Sequence, residues 1–234
     1  MKTLGIIGGV GPSSTAEFYL KISYDCQKQN HLQRPAIVIA SVPTPYEVER
    51  GMILHNQNNY TPLLVDAARL LQKADADFLV MPCNTLHCDI EAIRHSVSIP
   101  VMSIVEESIA YIRKMEYKKV GLLATAATVV RRIYSEPFEH NGIDFLVPSQ
   151  EEQTELNERI VNLVDGKYLD GDRQFLHQVI DKLKAQGADC IALACTELPL
   201  LKPELDRKDI PIFDTMTILA RAAIEEILSE SESL

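Results

Sequence analysis

Long apolar runs are missing from this sequence. No stretch reaches the roughly 18 apolar residues that a membrane-spanning helix needs, so a membrane span is excluded. Positive charge is also short: 23 Lys and Arg stand against 33 Asp and Glu, a formal net charge of −10. Nucleic-acid binding needs clustered cations that displace counterions, and this balance argues against it. An anionic substrate would need a local basic residue set against that acidic background. Low-complexity tracts are absent, and the composition is that of a globular domain. The 5 cysteines cannot all pair with one another. No export signal is read in MKTLGIIGGVGPSST, where Gly8, Gly9, Gly11 and Pro12 break the apolar run, so free thiols in a reducing cytoplasm are expected.

Two phosphate-binding signatures are incomplete. Ser14 stands where a dinucleotide fingerprint needs its third glycine after Gly9 and Gly11. The next strand closes at Val42–Pro43 with no acidic residue for a ribose, and a Walker Gly-Lys-Ser/Thr is missing. Cys83, His87 and Cys88 lack the Cys-x-x-Cys spacing and the second cluster of a structural zinc site, so no metal is expected. His87 reads as a helix-surface residue or a support for its neighbours.

What remains is a regular alternation. Short apolar runs at 4–9, 36–42, 77–82, 120–125, 143–148 and 190–194 read as strands buried on both faces. Segments 14–29, 59–73, 102–115, 151–165, 170–186 and 215–229 carry helical spacing. The two halves also match each other. Gly5 answers Gly121, Ala76–Asp77 before Cys83 answers Ala188–Asp189 before Cys195, and Ile99–Pro100–Val101 answers Ile210–Pro211–Ile212. Three matches in order, at nearly constant separation, indicate a domain-sized duplication.

The expected fold is α/β, with two duplicated domains related by an approximate twofold axis. Each is a short, mainly parallel sheet flanked by helices. Residues 1–100 form the first domain with Cys83 and residues 101–213 the second with Cys195. A C-terminal helix (214–234) packs back on the first and frays in its acidic tail. Open α/β sheets bind ligands at the carboxyl ends of their strands. Cys83 and Cys195 each follow a core strand, so one cleft would hold two thiols on opposite walls. A thiol leading into a helix N-terminus is pushed toward thiolate, and Asn84, Thr85 and Thr196 add donors for a carboxylate. A single such cysteine is readily explained as a small buried apolar residue. Two at matching positions are not. Cys26, Cys88 and Cys190 lack this context and read as structural.

The strings VMPCNTLH, ALACTELP and GGVGPSST together resemble the aspartate/glutamate racemase family across nearly the whole chain. The Cys-Thr-Glu form resembles its aspartate racemase branch. That resemblance implies a cytoplasmic isomerase, a homodimer, that interconverts L- and D-aspartate, or glutamate, without pyridoxal or any other cofactor. In it Cys83 and Cys195 form an acid/base pair, one removing the α-proton and the other protonating the opposite face. It further implies that Asn84, Thr85 and Thr196 hold the α-carboxylate and that Arg50 binds the side-chain carboxylate from a loop. Lys167 sits at the cleft, Thr125 belongs to the second glycine loop, and Glu197 assists Cys195. Val10 replaces a usual Met and Ala194 a common Gly, which bears on substrate choice more than on the reaction. Glutamate, broad-specificity and hydantoin racemases, maleate isomerases and arylmalonate decarboxylases remain alternatives, as does a non-catalytic protein that binds an acidic metabolite. Binding alone would need neither cysteine.

Overall fold

The computed structural model describes residues 1–30, 33–55, 60–202 and 207–229. Its first half places β1 (Leu4–Gly8) between β2 (Ile37–Ser41) and β3 (Phe78–Val80), and both pairings are parallel. A parallel bridge from Leu79 to Val101 extends this sheet past β3. The second half repeats the order. There β4 (Lys119–Ala124) lies between β5 (Asp144–Leu146) and β6 (Cys190–Ala194), and β7 (Ile212–Asp214) takes the place of the Val101 bridge. The fold is α/β, with two parallel sheets flanked by helices. Parallel neighbours need crossovers, and helices supply them: α1 (Pro12–Asn30) and α3 (Thr61–Lys73) in the first half, α8 (Gln150–Val164) and α9 (Asp172–Ala185) in the second.

The duplication extends to single atoms. A Cβ on Gly5 would lie 2.5 Å from Leu79 Cδ2 on β3 and 3.3 Å from Leu71 Cβ on α3. One on Gly121 would lie 2.6 Å from Ile191 Cδ1 on β6 and 3.3 Å from Leu183 Cδ1 on α9. In both halves the central strand needs a glycine because the crossover helix presses directly on it.

Two hydrophobic cores run through the molecule, and each draws on both sheets. Leu4, Ile6, Phe78 and Val80 share one with Val120, Leu122, Ala192 and Phe213. Ile7, Leu79 and Met81 share the other with Leu123, Ile191 and Leu193. The helix α10 (Thr215–Leu228) packs against α1 and against α5 (Ile104–Lys114). Lys2 fastens its end, through its N–H to the Ile227 carbonyl at 3.0 Å and its Nζ to Glu226 at 2.5 Å. Residues 230–234 of the acidic tail lie outside the described residues.

Several short elements were not expected from the sequence: α2 (Tyr46–His55), α6 (Ala126–Val130) and α7 (Ser135–His140); the helix expected after Cys83 is α4 (Ile90–Ser96), reached through a 3₁₀ turn. The segment around Arg50, read as a loop, is helix α2. Its Gly51 is buried, so a residue that weakens an exposed helix here serves close packing instead. Among the described residues, no helix is long and apolar enough to cross a membrane.

Candidate active site

Four strand ends meet at one cavity. From β1 come Val10 and Gly11, from β3 Cys83, Asn84 and Thr85, from β4 Thr125, and from β6 Cys195, Thr196 and Glu197. The side walls are α2, through Glu49, Met52 and Ile53, and α8, through Ile160 and Val164. The cavity volume is ≈ 20 Å³. That is room for about one water and not for an amino acid, so the cleft is closed. Larger hollows lie on the surface, one of ≈ 570 Å³ beside Glu155 and Asn162, and neither cysteine lines it.

Both cysteines are nearly buried, at 9% and 5% exposure. Each is followed by a 3₁₀ turn, Thr85–Asp89 after Cys83 and Leu198–Leu201 after Cys195. The N–H groups of these turns favour the thiolates expected from the sequence, but burial outweighs them. Burial, followed by the Glu197 and Glu49 carboxylates, pushes the Cys83 thiol up to about 12, against the lowering influence of the Leu86 and Thr85 N–H groups. Burial and Glu197 push Cys195 well above its ordinary value, and Cys83 is close enough to add to the effect. The closed site therefore holds two thiols, each able to give a proton. The Cys195 thiol points at Glu197 Oε2 at 3.5 Å, and the Thr196 hydroxyl donates to the same oxygen at 3.2 Å. Burial raises the Glu197 carboxyl, with Ser14, Cys195 and Thr196 opposing it.

Glu49 belongs to the site although sequence reasoning passed over it. Its Oε1 accepts from the Gly11 N–H at 3.0 Å, and burial raises its carboxyl too. Gly11 itself, at φ +77, leaves no room for a side chain, because a Cβ would stand 2.2 Å from Glu197 Oε1. One glycine thus seats both carboxyl groups, binding Glu49 with its N–H and admitting Glu197 with its missing Cβ.

The polar wall is made of hydroxyls and one amide. Thr85, Thr125 and Thr128 form a triangle of Oγ1 atoms at 3.0, 3.1 and 3.0 Å. Each hydroxyl can rotate to donate elsewhere. Asn84 is clamped across the two halves: its Oδ1 accepts from Tyr134 OH at 2.5 Å and its Nδ2 donates to Thr215 Oγ1 at 3.1 Å. One amide N–H is left for a ligand.

Arg50 and Lys167 do not line the cavity. They converge outside it on Asp165, with Arg50 Nη1 at 3.6 Å and Lys167 Nζ at 3.2 Å from Oδ2, and the Tyr46 hydroxyl donates to the same oxygen at 2.5 Å. Cys88 is exposed, while Cys26 and Cys190 are buried.

His87 is buried, not on a helix surface. Its Nδ1 lies 2.7 Å from the Cys83 carbonyl and its Nε2 accepts from the Ile104 N–H at 3.1 Å. A carbonyl only accepts, so Nδ1 carries the proton and the ring is neutral. Both nitrogens are engaged, which leaves none to bind metal. Among the described residues no group of three or more His, Cys, Asp or Glu is placed to hold an ion. Burial lowers this imidazole to about 4, from 6.5. Between those values the unfolded chain takes up a proton that the fold refuses, so this contribution to stability is whole above pH 6.5. It falls by about 1.4 kcal/mol per pH unit on acidification toward pH 4. The stability advantage of wild type over His87→Gln is expected to shrink along that window in urea titrations. A constant advantage from pH 7 to 4.5 would contradict the neutral, buried ring.

Residues 7–223 match the family model for Asp/Glu/hydantoin racemases. The chain belongs to that family. Racemases are isomerases, so this is the reaction class of the family. The broad specificity amino-acid racemase RacX of Bacillus subtilis (strain 168) is 31% identical over 97% of this chain and 98% of its own. A solved Yersinia pestis structure at 31% identity superposes with a TM-score of 0.85 over 98% of this chain and all (100%) of its own. An aspartate racemase homologue from Pyrococcus horikoshii, 28% identical, gives 0.79 over 98% of this chain and 100% of that one. For a racemase, the cavity's two thiols, two carboxyls and ring of hydroxyls are a coherent set.

Proposed function

We propose that the protein is an amino-acid racemase in which Cys83 and Cys195 exchange the α-proton from opposite faces of the substrate. The observation that carries this reading is the pair of thiols, supplied by equivalent strands of the two sheets, lining a single closed cavity.

Asn84, Thr85, Thr125 and Thr196 hold the α-carboxylate, and Glu49 and Glu197 flank the α-ammonium. Cys195 passes its proton to Glu197, and the resulting thiolate takes the α-proton. The released C–H electron pair spreads into the carboxylate, where the hydroxyl and amide donors stabilise it. The Cys83 thiol then protonates the other face. Cys195 ends as thiol, Cys83 as thiolate and Glu197 protonated, and exchange with solvent resets them. A substrate ammonium between the two carboxyls offsets their charge and lowers the cost of forming a thiolate. Entry requires α2 and α8 to part, and closure then excludes water.

Aspartate and glutamate are the substrates that the motifs imply, and the RacX relative points to a wider range. A panel of L-amino acids in D₂O, followed by NMR, should show loss of the α-proton signal with appearance of the D-enantiomer for at least one of them. No exchange and no enantiomer formed across the panel would rule the racemase reading out.

A further inference from the structure

The cluster outside the cavity bears on which side chain the substrate carries. Arg50 stands next to Glu49 on α2, and Asp165 follows Val164 at the end of α8; Glu49 and Val164 both line the cavity. The cluster therefore sits on the seam between the two walls. Within it the cations are the outer members, with side-chain exposures of 38% for Arg50 and 61% for Lys167, while Asp165 is tucked beneath them at 5%. All the contacts converge on Oδ2, through Tyr46, Lys167 and Arg50. Asp165 Oδ1 is buried and has no hydrogen-bond partner among the described residues. A surface ion pair gathered for stability alone would leave that second oxygen in water. Glu47 adds a further negative charge to the surroundings of Arg50.

The cavity itself supplies no compensating charge. Among the described residues its lining has two carboxyls, Glu49 and Glu197, and no Lys, Arg or His, and its remaining walls include the apolar Val10, Met52, Ile53, Ile160 and Val164. A side-chain carboxylate entering it would meet like charge and apolar surface, and the nearby cations would already be engaged.

We infer that Asp165 is a specificity-determining residue. Its carboxylate occupies the place on Tyr46, Arg50 and Lys167 that a substrate's side-chain carboxylate would take, and so turns the enzyme toward amino acids with neutral, apolar side chains. This rests on the racemase reading for its catalytic meaning, although the competition between carboxylates is a property of the cluster itself.

Two measurements on wild type and Asp165→Asn test it. In the first, kcat/KM is compared for L-aspartate and L-leucine. Wild type should favour leucine, and the variant should raise the aspartate-to-leucine ratio by roughly tenfold or more, the scale of a hydrogen bond to a charged group. Asp165→Ser should do the same, and Arg50→Ala added to either variant should cancel the gain. In the second, succinate binding is followed by calorimetry, with no turnover required, and should tighten in the variant by a similar factor. A wild-type preference for aspartate, or an unchanged ratio with unchanged succinate affinity, would overturn the inference. If neither protein exchanges the α-proton of any amino acid, the racemase reading falls, and the succinate comparison still decides whether Asp165 masks the cations.

Discussion

Alanine in place of Cys83 or of Cys195 is expected to lower the turnover for racemisation by about 10³-fold or more, in both directions. Each thiol provides the proton transfer on one face, and a positioned acid or base contributes on the order of 10²–10⁴ to rate. Inversion needs both faces in sequence, so losing either group stops the whole reaction and not one direction of it. The substitution should leave the fold in place. Cysteine and alanine are both small, and although both thiols border a hydrophobic core, they line the cavity at strand ends. Circular dichroism and thermal midpoints should stay close to wild type while turnover disappears. Cys26→Ala, which removes a buried thiol remote from the cavity lining, is the matched control and should retain activity. Either active-site variant working within tenfold of wild type would show that its sulfur is not a proton carrier.

Gly11→Ala should have the next largest effect, because one methyl group is driven against the Glu197 carboxyl. The added Cβ would lie 2.2 Å from Glu197 Oε1 and 2.6 Å from the Ser14 hydroxyl. Glu197 is buried at 5% exposure and its other oxygen is already bonded to Cys195 and Thr196, so it has little freedom to move aside. The backbone adds a cost of about 1 kcal/mol for a non-glycine residue at φ +77. A displacement of about 1 Å at such a site can cost roughly 10²-fold in rate, and that is the loss expected here. Gly142→Ala separates the two contributions. Gly142 has a comparable φ of +63, but nothing lies within 4 Å of where its new methyl group would stand. It should lose a few degrees of thermal midpoint and keep its activity. Equal activity in both variants would mean that Glu197 need not sit where it does.

Much of the fold can be read from the sequence because a parallel sheet buried on both faces leaves a simple trace. LGIIGG, AIVIASV, VGLLAT and CIALA all became strands, and Gly5 and Gly121 mark the same crossover contact in each half. Helix α2 was hidden by the segment that leads into it. Pro43 and Pro45 precede it and Gly51 lies inside it, and all three residues signal a loop when only neighbours along the chain are considered. The cysteines and their Asn-Thr and Thr-Glu neighbours were legible because strand ends fix where they point. Glu49 was not. It has the same carboxyl as Glu47 two positions earlier, and only the Gly11 N–H and its burial distinguish it. Arg50 and Lys167 were visible as cations near the cleft, but their orientation is set by Asp165, a partner that no local pattern connects to Arg50. The charge state of the thiols was misjudged for a similar reason. The end of a helical turn is a local feature, whereas burial among carboxyls depends on both halves of the chain closing together.

The account rests on two sulfurs acting on one carbon from opposite sides, and isotope distribution at early conversion tests this directly. An active L-amino acid is turned over in D₂O to a few per cent, and both enantiomers are then analysed by mass spectrometry. If the acid that completes the reaction exchanges with solvent and is distinct from the base that began it, the D-product carries deuterium at Cα while recovered L-substrate keeps its protium. Comparable deuterium in both enantiomers, or protium carried over into the product, would mean that one group serves both faces and would contradict the paired-cysteine mechanism.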